Sequence, residues 1–154
     1  MAEDRGLLTD IRLDLLHHEL RPVYEVATRR GRVPGGPAGP ALADFAVISG
    51  RDNLGQAVVL RLLTPRGELA ALGHPDYGSR LHELIGRPNT ETTRNLVRLF
   101  ILESLAREPR IAPQGVTVAV EPVPGTRDRV AVRLAVTPVG GGPAIDLGPF
   151  TLLL

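Results

Sequence analysis

The segment Leu60–Gly86 restricts the fold more than any other part of the chain, because signals that stop secondary structure follow one another closely along it. Thr64-Pro65 ends a helix, since a proline ring disfavours the α conformation of the residue before it, and Gly67 then suits a tight turn. Glu68–Leu72 is long enough for a short strand, and the glycines of Gly73–Gly78 mark a second turn. The predicted order is therefore helix, turn, strand, turn and a short helical turn.

Two longer helices are predicted on either side of this segment. The first runs from about Arg51 to Leu63, and Ser49 with Asp52 comes close to a capping box at its start. The second and longest runs from Thr90 to about Arg107, and Pro109 prevents its continuation. Apolar residues of the second helix reach most of the way round it, which predicts burial by the sheet or by a partner chain.

The rest of the chain is predicted to be mainly β structure. Apolar residues alternate with small or polar ones in Val116–Val120 and Val130–Val136, with a loop containing Gly125 between them, which predicts an antiparallel hairpin. Ile145–Leu154 adds an apolar C-terminal strand, and Thr9–Leu16 alternates like a half-buried strand. The predicted fold class is therefore α+β, with an antiparallel β-sheet (the C-terminal hairpin plus further strands) packed on two main α-helices.

Length and composition indicate one globular domain. The 154 residues predict a single domain, 1–154, in which 29–41 is a flexible loop rich in Gly, Pro and Arg. The net charge of +1 provides no global field for nucleic acid or a membrane, so neither is predicted as a partner. The N-terminus lacks the apolar core of a signal peptide, and no apolar run approaches the ~20 residues that span a bilayer, so a cytoplasmic chain is expected.

Residues suited to catalysis or metal binding are few. Glu68 and Asp76 could form a carboxylate pair of the glycosidase type, but nothing in the sequence places either in an apolar pocket. His74, Asp76 and His82 could hold a metal, but their spacing is not that of an H-E-x-x-H helix. We therefore predict no catalytic site, no metal and no cofactor. A small lysozyme-like hydrolase of cell-wall glycan remains an alternative.

Three pieces of the sequence together resemble one family. L-L-T-P-R-G-E-L is followed by P-D-Y-G-S-R-L-H-E-L-I and later by Glu108-Pro109-Arg110. This ordered set resembles the phage baseplate wedge and sheath-initiator proteins of contractile injection systems, which include phage tails, phage-tail-like particles and type VI secretion baseplates. The resemblance covers about 44–137. It implies a structural protein, six copies per particle, that docks to other wedge proteins and templates the first ring of sheath subunits, near the tube and spike hub.

The resemblance also implies two partner-binding regions. Its acid-proline-arginine helix stop, Glu108-Pro109-Arg110, is expected to contact wedge subunits through its two charges. The apolar residues of the C-terminal strands are expected to belong to a sheet that faces the sheath: Val130, Val132, Leu134, Val136, Phe150, Leu152 and Leu154. From the residues alone, the first region is also compatible with a plain helix stop with solvated charges, and the chain with a solitary α+β adaptor module.

Overall fold

The computed structural model describes residues 7–15, 24–26, 28–31 and 42–154. In these ranges the chain forms two α-helices, two short 3-10 helices (Ala70–Leu72 and Leu81–Leu84) and nine strands. In chain order the elements are β1 (Thr9–Ile11), β2 (Leu13–Leu15), β3 (Tyr24–Val26), β4 (Thr28–Gly31), β5 (Leu42–Phe45), β6 (Val47–Ser49), α1 (Gly50–Leu63), α2 (Glu91–Leu105), β7 (Ile111–Pro122), β8 (Arg129–Pro138) and β9 (Ile145–Leu153). The predicted α+β class is confirmed.

A three-stranded antiparallel sheet in the order β7-β8-β9 carries the core. The predicted hairpin is confirmed, with Val118 opposite Leu134 across its two strands. Because successive side chains of a strand point to opposite faces, alternate residues of the central strand β8 share one face. These side chains are buried in one apolar core with residues of both helices, including Val58 and Ile101. The core is thus a helix layer packed on one face of the sheet.

The two helices begin in different ways. At α2, Thr90 is the cap, because its side-chain oxygen accepts a hydrogen bond from the main-chain N–H of Thr93 at 3.2 Å. The prediction that Ser49 caps α1 is wrong, since its side chain makes no hydrogen bond to the first turn of the helix. The N–H of Gly50 instead donates to the carbonyl of Leu8 at 3.1 Å, so pairing with the N-terminal segment takes the place of a cap.

Helix α2 is buried on one side only. Val97 and Ile101 are completely buried in the core, whereas Leu99 is 55% exposed and Leu102 is 37% exposed. The sheet therefore does not wrap the helix. Burial of α2 was predicted to come from the sheet or from a partner chain. Since the sheet leaves Leu99 and Leu102 exposed, a partner chain is the remaining alternative for these two residues.

The N-terminal strands pair in twos, and two predictions there need correction. Thr9–Leu16 was expected to be one half-buried strand, but it is divided at Arg12, whose N–H donates to Ala46, and β1 is exposed throughout. The predicted loop 29–41 starts too early, because Arg29–Gly31 belongs to β4 and hydrogen-bonds to β5. Residues 32–41 and Leu16 lie outside the described residues, and the single-domain boundary 1–154 stays a prediction.

Candidate functional site

Within the Leu60–Gly86 segment, main-chain hydrogen bonds join Thr64 and Arg66 to Ser79 and hold the turns between them together. The N–H of Ser79 donates to the carbonyl of Thr64 and the N–H of Arg66 donates to the carbonyl of Ser79, both at 2.8 Å. Gly78 makes this approach possible, because its φ is +104° and a Cβ atom there would lie 2.4 Å from the Thr64 carbonyl oxygen. The glycine thus closes the segment into a compact loop.

The residues between these ends are helical rather than extended. The predicted strand Glu68–Leu72 is wrong, because local bonds such as that from the N–H of Ala70 to the carbonyl of Gly67 wind it into a turn and a 3-10 helix. Two buried hydroxyl groups donate hydrogen bonds to main-chain carbonyls and hold the loop in place. Ser79 donates to the carbonyl of Leu62 at 2.6 Å, and Ser104 of α2 donates to the carbonyl of Gly78 at 2.8 Å.

Glu108, directly after α2, is the centre of a buried charged cluster. Its Oε1 accepts from Nε of Arg110 at 2.6 Å, and its Oε2 accepts from Nη2 of Arg61 at 3.3 Å. Glu108 is only 6% exposed. The guanidinium carbon of Arg61 lies 4.4 Å from the centre of the Tyr77 ring, which is a cation–π contact. We call Arg61, Tyr77, Glu108 and Arg110 the Glu108 cluster.

The charges of the cluster keep Glu108 ionised. Burial opposes ionisation, but the hydrogen bond and charge of Arg110 and the charge of Arg61 together hold the pKa of Glu108 below its ordinary value. Burial also raises the pKa of Tyr77, so this phenol stays neutral. A carboxylate with two guanidinium partners leaves the cluster with a net positive charge, which lies toward Arg110, the more exposed of the two arginines.

A second set of ion pairs ties the loop to the adjoining part of α2. Arg66 and Arg80 both approach Glu103, at 2.5 and 3.9 Å, and Arg80 also lies over the ring of Phe100 at 4.3 Å. The T-P-R, P-D-Y-G-S-R and E-P-R pieces of the sequence therefore meet around the C-terminal half of α2, although they are far apart in the chain.

A groove opens beside this junction. Its volume is about 440 Å³, and its lining includes Leu102, Ala106, Glu108, Pro109 and Val116. The groove is lined mainly by apolar residues, and the exposed side chain of Leu99 lies one helical turn before Leu102. An apolar groove thus lies next to a charged group that the chain holds in place.

The three residues expected to contact wedge subunits differ in their exposure. Pro109 is exposed and Arg110 is half-buried, but Glu108 is enclosed and is bonded to two arginines of its own chain. The carboxylate of Glu108 lies behind Arg110, and a contact of Glu108 with a partner stays a prediction. Sequence reasoning missed Arg61 and Tyr77. Arg61 had one signal, since it is a charge placed between Leu60 and Leu62 in an apolar helical run.

The residues expected in the sheath-facing sheet lie on its core face, and the contact of this sheet with the sheath stays a prediction. The side chains of Val130, Val132, Leu134, Val136, Phe150, Leu152 and Leu154 are all buried in the core of the domain. Strand β8 is moreover paired on both sides, so its main chain cannot accept a strand from another subunit. In the part of the chain that the structure describes, β9 has an unpaired edge, which lines a second groove of about 420 Å³ with α1.

Of the residues considered for catalysis, Glu68 and His82 line a mainly apolar groove of about 390 Å³, whose lining does not include Asp76. Glu68 and Asp76 are both exposed, and Asp76 pairs with Arg107 at 2.5 Å. Within residues 7–15, 24–26, 28–31 and 42–154, no group of three His, Asp or Glu side chains is arranged to hold a metal ion. None of the helices described is long and apolar enough to cross a membrane.

The fold and the site together define an α+β domain whose sequence motifs build a charged junction beside an open apolar groove, as a subunit of a larger assembly would have. The family model of the baseplate wedge protein gp25 matches residues 49–138, more than half of the chain, and the chain belongs to that family. The resemblance seen in the sequence is thereby confirmed, and the chain is a structural baseplate component. No curated protein matches it.

Proposed function

We propose that this chain docks to neighbouring wedge subunits of a contractile injection-system baseplate and templates the first ring of its sheath. The observation that carries the docking half of the proposal is the open apolar stripe of α2, Leu99 and Leu102, beside the groove that Leu102 and Pro109 line. Burying one such leucine contributes about 1.5–3 kcal/mol. An apolar core with a polar rim is the usual anatomy of a protein–protein interface.

The sheath half of the proposal rests on the unpaired edge of β9. A sheet edge can accept a strand from another chain, with main-chain hydrogen bonds providing affinity. Because β8 is paired on both sides and Phe150 and Leu152 of β9 are buried, the main chain of β9 is the part of this strand that we expect a sheath subunit to bind. Six copies around a baseplate would present six such edges, and a ring of edges removes the cost of nucleating the first sheath ring in solution.

The docking surface is tested by placing a charge in the apolar stripe. Leu99→Asp should leave the melting temperature of the purified chain nearly unchanged, because Leu99 is exposed, but should abolish co-purification with wedge subunits. Thr92→Asp is the matched control, since Thr92 is exposed in the first turn of the same helix, away from the groove. Normal baseplate assembly by the Leu99→Asp variant would remove this face from the proposal.

The sheath contact is tested by a charge at the β9 edge. Leu153 is an exposed apolar residue of β9, and lysines on edge strands discourage strand addition. Leu153→Lys should therefore give baseplates on tubes that lack a sheath in electron micrographs. Val139→Lys, at an exposed apolar residue outside the strands, should give sheathed particles. Complete sheaths on Leu153→Lys particles would contradict the β9 contact.

A further inference from the structure

The three-stranded sheet has a second edge, on β7. In the residues that the structure describes, β7 pairs with β8 alone, so its other side is unpaired like that of β9. An unpaired edge of either strand can template pairing with another chain. Topology alone thus does not explain why a partner strand would be added at β9.

Val118 lies at the middle of the outward-facing part of β7. The N–H of Val123 donates to the carbonyl of Arg129, so this pair at the end of the hairpin is a hydrogen-bonded one. Hydrogen-bonded and non-hydrogen-bonded pairs alternate along antiparallel strands. The main-chain groups of Val116, Val118 and Val120 therefore point away from β8, and we call these three residues the β7 edge.

The β7 edge is limited at both ends. On one side the register with β8 shifts between Ile111 and Val116. On the other side comes Pro122, which has no N–H to offer to an added strand. A strand that adds to β7 must therefore use Val118 as its central pairing residue.

Arg98 of α2 occupies this central position. Its Nε donates to the carbonyl oxygen of Val118 at 3.4 Å, and its Nη1 donates to Oδ1 of Asn95 at 2.6 Å. The bond to Val118 is long, but the bond to Asn95 is short and holds the guanidinium beside the strand. The central acceptor of the β7 edge is therefore already bonded, and a positive charge lies next to it.

We propose that Arg98 closes the β7 edge to a second copy of this chain, and so leaves β9 as the edge at which a strand is added. Two copies that paired through β7 would be related by a two-fold axis, with the two Val118 residues opposite one another. Each Arg98 would lose its carbonyl partner, and the two guanidinium groups would meet near the axis, where like charges repel. The consequence for β9 rests on the proposed sheath contact, whereas the closure of β7 does not.

The test is self-association of the purified chain, measured as the dimer dissociation constant by sedimentation equilibrium. Arg98→Met removes the charge and the donors but keeps an unbranched apolar stem. Each main-chain hydrogen bond changes an association constant about fivefold, so the two at the centre of the pairing correspond to about thirtyfold. The dissociation constant of Arg98→Met should therefore be about thirtyfold lower than that of the unmodified chain, and equal constants would overturn the inference.

Arg94→Met is the matched control. Arg94 lies one turn earlier on α2, is also half-buried, and donates to the carbonyl and side-chain oxygens of Asn89 at 3.3 and 2.8 Å. Its replacement should leave the dissociation constant unchanged. Equal tightening by both variants would mean that loss of any arginine of α2 promotes association, which contradicts a specific role of Arg98.

Amide hydrogen exchange identifies the surface that associates. In dimers of Arg98→Met the N–H of Val118 should exchange more slowly than in the monomer, because it becomes hydrogen-bonded to the second copy. Dimers in which this amide still exchanges rapidly would use another surface and would contradict the inference.

Asn95→Ala provides a second variant, with melting temperature as the check on folding. Asn95 is exposed, so its replacement releases Arg98 without disturbing the core. The dissociation constant should fall about fivefold, which corresponds to the loss of one hydrogen bond. If Arg98→Met does not fold, an unchanged dissociation constant for Asn95→Ala overturns the inference.

Failure of this inference is distinguishable from failure of the proposed sheath contact. If Arg98→Met stays monomeric while Leu153→Lys particles lack a sheath, the β9 contact stands and closure by Arg98 is wrong. If Arg98→Met dimerises through Val118 while Leu153→Lys particles have complete sheaths, closure by Arg98 stands and the β9 contact is wrong.

Discussion

Adding one methyl group at Gly78 should reveal how closely the ends of the Leu60–Gly86 segment must approach. In Gly78→Ala the new Cβ atom would lie 2.4 Å from the Thr64 carbonyl oxygen and 2.9 Å from that of Pro65. Both neighbours are main-chain atoms, so no side chain can turn aside. Relief of the contact requires the two ends to separate, which loses the hydrogen bonds that Ser79 makes with Thr64 and Arg66.

The cost of the change has two separable parts. A non-glycine residue at positive φ costs about 1–2 kcal/mol, and reduced freedom of the unfolded chain returns about 0.4–1 kcal/mol. Loss of two main-chain hydrogen bonds adds about 1 kcal/mol each. Gly67→Ala is the matched control, because Gly67 has φ of +90° but no atom within 4 Å of its Cβ position. We expect about 3 kcal/mol for Gly78→Ala and about 1 kcal/mol for Gly67→Ala.

Urea unfolding of the two purified variants measures this difference. The midpoint should move to lower urea for both, with an unchanged slope, and the Gly78→Ala variant should be less stable by about 2 kcal/mol. Equal destabilisation of the two variants would show that the close approach at Gly78 contributes nothing beyond backbone strain, and the reasoning would be refuted.

Two further predictions concern the same junction. Ser104→Ala leaves the buried carbonyl of Gly78 without its donor, so the free energy of unfolding should fall by about 1–3 kcal/mol in urea titrations, and an unchanged midpoint would contradict the role of this bond. Because the folded pKa of Glu108 is below its ordinary value of 4.5, the stability this carboxylate contributes is present above pH 4.5 and is lost as the pH falls through the folded pKa. The stability difference between the unmodified chain and Glu108→Gln should therefore shrink below pH 4.5, and a difference independent of pH would disprove the ion-pair account.

Much of the local structure could be predicted, because its determinants are short in range. Thr64-Pro65 ends α1 where the proline rule places the end, and Thr90 caps α2 through a bond to a residue three positions away. The alternation in Val130–Val136 identified the apolar face of β8. Prediction failed at Glu68–Leu72, where bonds between residues three apart produce a 3-10 helix in a segment that is also long enough for a strand.

The candidate site could be predicted only as a set of motifs. Glu108-Pro109-Arg110 was recognisable in the sequence, but the ion pair between Glu108 and Arg110 was not predicted, since both charges were expected to contact wedge subunits. Burial of Glu108 depends on Arg61, which is 47 positions earlier in the chain. No periodicity or spacing rule connects residues so far apart, since only the packing of α1 beside α2 brings them into contact.

The sequence by itself determined the fold class, the end of α1, the cap of α2, the C-terminal hairpin and membership of the baseplate wedge family, because each depends on neighbouring residues or on an ordered set of motifs. Only the tertiary structure decided that β8 is the central strand, that Leu99 and Leu102 are left open, and that Glu108 lies behind Arg110. The physical reason is that exposure and ion pairing are settled by long-range packing, which is a property of the assembled helix and sheet layers and not of any one segment.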